Sequence, residues 1–119
     1  MKMTMIENKQ LKRDSYIKKL VSNARAIISN QIALPLGVHK MDKILTWVNQ
    51  IEPLKDIDLK IFTDYNSKTV EFSIGIERLF CNREFLKKQD EQLNVLTEQY
   101  REKIIDKCFE IVNKFADKK

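Results

Sequence analysis

The feature that most constrains this chain is the segment from Leu86 to Phe115. There Leu86, Leu93, Leu96, Tyr100, Ile104, Cys108, Ile111 and Phe115 keep one helical phase without a proline or glycine to interrupt it. Apolar residues three or four apart form one stripe along a helix, which must be buried against another element. The mean spacing lies nearer 3.6 than 3.5, which describes a core helix rather than a strict coiled coil. Asn82 stands where a cap belongs, and Glu84 adds favourable charge to the first turn. A helix from about Arg83 to Phe115 would be about 50 Å long at 1.5 Å per residue. It would outrun shorter partners and leave one end exposed or used in assembly.

The partners are legible upstream. Leu20, Ala24, Ile27, Ile28 and Ile32, widened by Tyr16, Ile17 and Val21, predict a first helix over about Leu11 to Ile32. Proline removes a donor and clashes with the preceding turn, yet suits the start of a new helix. Pro35 therefore marks a tight connection at 33–36, followed by a second helix to about Gln50. Val38, Met41, Ile44, Leu45 and Val48 form its apolar stripe, flanked by Trp47. Helices joined so closely should pack side by side. Pro53 ends the second helix, and residues 56–65 predict a short third, with Ile57, Ile61 and Phe62 inward. Asn66-Ser67 reads as a turn. The alternating stretch 69–74 would suit a strand but has no partner strand, so an extended or irregular link is expected, with one helical turn at 76–80. The expected fold is all-α: a small helical bundle with a long C-terminal helix packed on an N-terminal helical hairpin.

Composition agrees with one modest core. The chain has 119 residues, 43% of them hydrophobic, and only two glycines and two prolines, too few for a turn-rich sandwich or barrel. We divide it into a flexible basic arm at 1–10 and a single helical domain at 11–119. The net charge of +5 is concentrated at the start: residues 1–20 hold six basic side chains against two acidic ones. A candidate basic patch is Lys9, Lys12, Arg13, Lys18 and Lys19, able to meet nucleic acid, anionic lipid or an acidic protein, or simply to be solvated. Cys81 and Cys108 are far apart and read as reduced, buried thiols, consistent with a cytoplasmic location. No apolar run approaches a membrane span, and Met1–Ile6 lacks the apolar core of a signal peptide.

Catalytic constellations are hard to write. His39 is the only histidine, so any nucleophile–histidine system must use it. No cluster of Cys and His ligands suggests zinc, and two glycines cannot build a phosphate-binding loop. No cofactor is expected. Glu98 and Glu102 share a helix face that reads as solvated. A candidate polar cluster is Asn23, Arg25, Gln31 and Asp90. It would be either a polar pocket formed with Asp90 of the last helix, or a buried Gln31 hydrogen-bonded to a backbone group at the Pro35 break.

The segment Ile32-Ala33-Leu34-Pro35-Leu36-Gly37-Val38 resembles the turn of a DNA-binding helix-turn-helix, which would occupy about residues 20–48. Pro35 and Lys43 depart from that pattern, the latter at a position normally buried. Its recognition surface would carry His39, Lys40, Asp42 and Lys43.

A second likeness covers most of the chain, from about Tyr16 to Phe115. It rests on Asn23-Ala24-Arg25-Ala26-Ile27-Ile28-Ser29-Asn30-Gln31, Gly37, Met41-Asp42-Lys43-Ile44-Leu45, Asn82-Arg83-Glu84-Phe85-Leu86-Lys87-Lys88-Gln89-Asp90 and Tyr100-Arg101-Glu102. These residues resemble a small helical bacterial family catalogued as domain of unknown function 2489. The resemblance implies an all-helical fold and carries no catalytic or binding residue. The expectation is a non-enzymatic helical protein–protein interaction module, one concrete form being an immunity or antitoxin-like partner, with another protein or a second copy of itself as occupant. The alternative is nucleic-acid binding through the degenerate helix-turn-helix and the basic arm.

Overall fold

The computed structural model describes residues 5–70, 72 and 79–116, with side chains from residue 8 onward. Four helices follow in order: α1 (Met5–Ile28), α2 (Leu34–Ile51), α3 (Lys60–Thr69) and α4 (Arg83–Phe115). Among the described residues there is no strand. The molecule is a helical bundle 58 × 28 × 22 Å in extent, its long α4 packed against the α1–α2 hairpin.

α4 has the expected limits, and its cap shows why. The Asn82 side chain accepts from the backbone N–H groups of Glu84 at 2.8 Å and Phe85 at 3.3 Å, satisfying two donors that a helix start leaves open. α1 differs at both ends. It begins at Met5, so residues 5–10, expected as an arm, are its first turns. It stops at Ile28 because Asn30 takes a left-handed φ of 61°. The Gln31 N–H then reaches back to the Ala26 carbonyl at 2.9 Å and the Asn30 N–H to that of Ile27 at 3.2 Å. This is the paired closure that ends many helices, with asparagine in the place glycine usually takes. Ile32 thus packs against the core from the turn rather than from the helix.

Pro35 sits in the first turn of α2, where its missing N–H costs nothing. α3 lies four residues later than the spacing suggested. Asp58 accepts from the Lys60 N–H at 3.0 Å and starts it, and Asn66 and Ser67, expected in a turn, are inside it. Leu79 and Phe80 lie in a tight turn; of the expected extended link at 69–74, Thr69 ends α3 instead, and 71, 73 and 74, with 75–78, fall outside the described residues.

The core joins Leu20, Ala24, Val38, Met41, Val48, Phe62, Tyr65, Ile104, Cys108 and Ile111, all fully excluded from water. Of the two cysteines, Cys108 is buried but Cys81 is only half-buried. Burial lifts the Cys108 thiol to about 12, so this group is an inert part of the packing. Tyr65 buries its ring among the helices and shares a 2.7 Å hydrogen bond with Thr97, which satisfies both hydroxyls.

Candidate functional site

The α1–α2 hairpin positions the most built surface of the molecule. Near the turn, Asn23 donates to the Gly37 carbonyl at 2.9 Å in a buried bond between the helices. Gly37 is small of necessity, because a Cβ there would stand 2.6 Å from Ile27 Cγ1. Further along, the Tyr16 and Trp47 rings lie 5.4 Å apart, centroid to centroid. At the far end, Arg13 Nε donates to the Glu52 carbonyl at 3.0 Å. α1 and α2 therefore run side by side over nearly the whole of α2. A pair crossed near a right angle, as in a helix-turn-helix, would place Arg13 and Glu52 roughly 30 Å apart.

One face of this hairpin meets α3 and α4. The other is open, forming a groove of about 690 Å³ bounded by Lys19, Ser22, Asn23 and Ala26 of α1, Gln31 and Ile32 of the turn, and Lys40, Lys43, Ile44 and Trp47 of α2. Ala26, Ile32, Ile44 and Trp47 make an apolar floor. Three lysines stand on the rims, and no carboxylate lines the groove. The Lys19 ammonium lies 6.0 Å from the Tyr16 ring centroid and 5.9 Å from that of Trp47, a cation held over an aromatic pair. Uncompensated positive charge above low-dielectric walls concentrates the field for an anionic visitor.

Helical phase explains which expected site residues meet. Asn23 and Gln31 both border this groove, but the buried amide is Asn23, while Gln31 is exposed. Arg25, two residues beyond Asn23, is turned about 200° away. It lines a separate cavity of about 280 Å³ with Lys18, Val21, Ser22, Phe115 and Ala116. Asp90 borders a shallow groove formed by α4 residues alone. The four candidates are thus not one cluster, and Asn23 acts as the backbone cap near the Pro35 break. The basic patch divides in the same way. Arg13 is engaged with Glu52, Lys18 faces the small cavity, and Lys9 and Lys12 are exposed. Only Lys19 reaches the groove, where its companions are Lys40 and Lys43. Those two were visible in the sequence only as part of a recognition helix. Their spacing with Trp47 (i, i+3, i+7) was the signal that a single α2 stripe carries all three.

Three other polar side chains, His39, Asp42 and Lys68, have neighbours on α3 or α4. His39 Nδ1 is 3.4 Å from Asn66 Oδ1, a weak contact. The Asp42 carboxylate accepts from Thr63 Oγ1 at 3.2 Å and Asn66 Nδ2 at 3.1 Å, tying α2 to α3. Lys68 donates to the Tyr100 hydroxyl at 2.5 Å, and that hydrogen bond raises the lysine above its usual range. Among the described residues no three His, Cys, Asp or Glu side chains group as a metal site would require, and no helix is long and apolar enough to cross a membrane. No family model, curated protein or solved structure matches the chain.

Proposed function

We propose that this chain is a non-enzymatic helical interaction module that binds another protein across the open face of the α1–α2 hairpin. The carrying observation is the groove itself: an apolar floor between two aligned helices, rimmed by Lys19, Lys40 and Lys43 with no carboxylate among its lining residues. Interfaces that last combine a buried apolar centre with a polar or charged rim, and this surface has that order. Asp42 lines a second groove of about 650 Å³ with Asp58, Lys60 and Thr63, but its carboxylate is tied to Thr63 and Asn66, and neither histidine nor cysteine is among that groove's lining residues.

Nucleic acid is the competing occupant, and the groove suits it less well. A concave apolar floor offers nothing to phosphates, and the Trp47 ring is already engaged by Tyr16 and Lys19 rather than presented for a base to stack on. An immunity or antitoxin-like role is one concrete form of the proposal, and kinship with the helical family named above belongs to it as well. A photo-reactive amino acid placed at Ser22 tests the reading in cells, with Glu91 on α4 as the control position. A discrete protein adduct from Ser22 alone, lost on Lys40→Glu, is expected. Adducts to nucleic acid only, or equal labelling from both positions, would overturn it.

A further inference from the structure

The interaction reading leaves the chemistry of the partner open, and the groove narrows it. Resting on that reading, we infer that the groove receives an acidic amphipathic helix of the partner protein, which lies along the α1–α2 seam as a third helix.

Shape is the first argument. Two helices packed side by side present a trough between their ridges, into which the side-chain ridge of a third helix fits. The α1 wall includes Ser22 and Ala26, one turn apart and both small, so the wall is low at those two positions, where a guest backbone could approach. The opposite wall carries Ile44 and Trp47, with Ile32 closing the turn end. Residues recurring at i, i+3 or i+4, and i+7 on a guest helix would set their apolar side chains on this floor. An extended peptide is less apt. Its backbone would need hydrogen-bond partners from the walls, and the walls are helices whose own N–H and C=O groups are already paired.

Charge is the second argument, and it fixes the sign. Lys19 stands on the α1 rim, while Lys40 and Lys43 stand on the α2 rim, so an apolar stripe laid in the trough would be flanked by cations on both sides. Lys40 and Lys43 are one helical turn apart, the spacing that carboxylates at i and i+3 or i+4 of a guest helix would match. Lys12, two turns before Lys19 on the same stripe of α1 and exposed, extends the basic rim beyond the groove. A basic or neutral guest would leave this charge unanswered, whereas an acidic one gains rate and register from it.

The test uses the full chain and a synthetic probe: an amphipathic helical peptide of about 18 residues, roughly the length of α2 at 1.5 Å per residue, with leucines on one face and glutamates elsewhere. Three comparison probes accompany it: the same composition scrambled to remove the apolar face, a version with lysine for glutamate, and a single-stranded DNA. Trp47, the chain's one tryptophan, reports binding by fluorescence, and amide shift mapping locates it. The expected result is saturable binding of the acidic amphipathic peptide alone, with shifts confined to residues lining the groove. Lys40→Glu with Lys43→Glu should weaken it about tenfold or more, and Ser22→Tyr, at an exposed position that fills the trough, should block it. Equal binding of the scrambled peptide, shifts centred away from the groove, or tighter binding of the DNA with a steep salt dependence would each overturn the inference. If the acidic peptide fails while Ser22 still crosslinks a protein in cells, the acidic helix is wrong and the interaction module stands. If both fail, both readings fall.

Discussion

On the face of the hairpin that meets α3 and α4, Leu20, Ala24, Val38, Met41 and Val48 are fully excluded from water, whereas on the opposite face Lys19, Lys40 and Lys43 stand exposed around a half-buried Trp47. Both faces belong to the same two helices. The first is complete within the chain: its apolar residues fill one another's gaps, and its polar links to neighbours, such as Asp42 to Asn66, are paired. The second has an apolar floor and unbalanced charge, with nothing among the described residues laid across it. The difference separates the residues that hold the fold from those left over for recognition, and substitutions should divide along the same line.

The largest effect should come from the closed face. Met41→Ala would leave a cavity at a fully buried position and cost about 2–5 kcal/mol of stability, read by chemical unfolding, with the midpoint lowered and binding lost only as unfolding sets in. Next come the residues that clasp the hairpin. Asn23→Leu removes the donor from the buried Gly37 carbonyl and should cost about 1–3 kcal/mol. Gly37→Ala should cost a similar amount, about 1–3 kcal/mol by overpacking, and less in an Ile27→Ala background, because Ile27 is the side chain its new methyl meets. A double-mutant cycle with no coupling would show that the helices are not held that closely.

Over any single pH unit the effect of titration is smaller. The folded Cys108 thiol ionises at about 12, against an ordinary value of 9.0. Between those values the unfolded chain has lost a proton that the folded chain retains, so stability should be whole below about pH 9 and fall as pH rises. The slope should be up to about 1.4 kcal/mol per pH unit. Cys108→Ala should flatten this limb, leaving the residual decline due to Tyr65, whose hydroxyl is also raised by burial. Smallest of all should be the charge reversals Lys40→Glu and Lys43→Glu, within about 0.5 kcal/mol of the parent stability. A large loss of stability there would erase the distinction between the two faces.

Much of the closed face could be read from the sequence, because burial imposes a period. The α2 stripe of Val38, Met41, Leu45 and Val48 is buried, with Ile44 buried beneath the groove, and the limits of α4 follow from Asn82 and an unbroken phase. Helix ends were harder, since they depend on single side-chain contacts. Ile32 keeps the α1 phase but lies beyond the left-handed Asn30, and Asn66-Ser67 stays helical while Asn66 bonds Asp42 and Ser67 Oγ donates to the Asp64 carbonyl. The open face was the least legible. Lys40 and Lys43 are ordinary surface lysines until α1 is laid beside them with Lys19 facing the same trough. Arg13 has the composition of a phosphate contact, yet it is spent on Glu52. Position relative to a second helix carries that information, and no local pattern encodes it.

The hairpin is fastened at three heights, by Asn23 on Gly37, Tyr16 on Trp47 and Arg13 on Glu52. A trough whose walls are tied at the turn, the middle and the mouth has little freedom left to surrender when a visitor arrives. The entropy lost on association would then fall on the guest segment, which must coil and settle onto a host surface already in place.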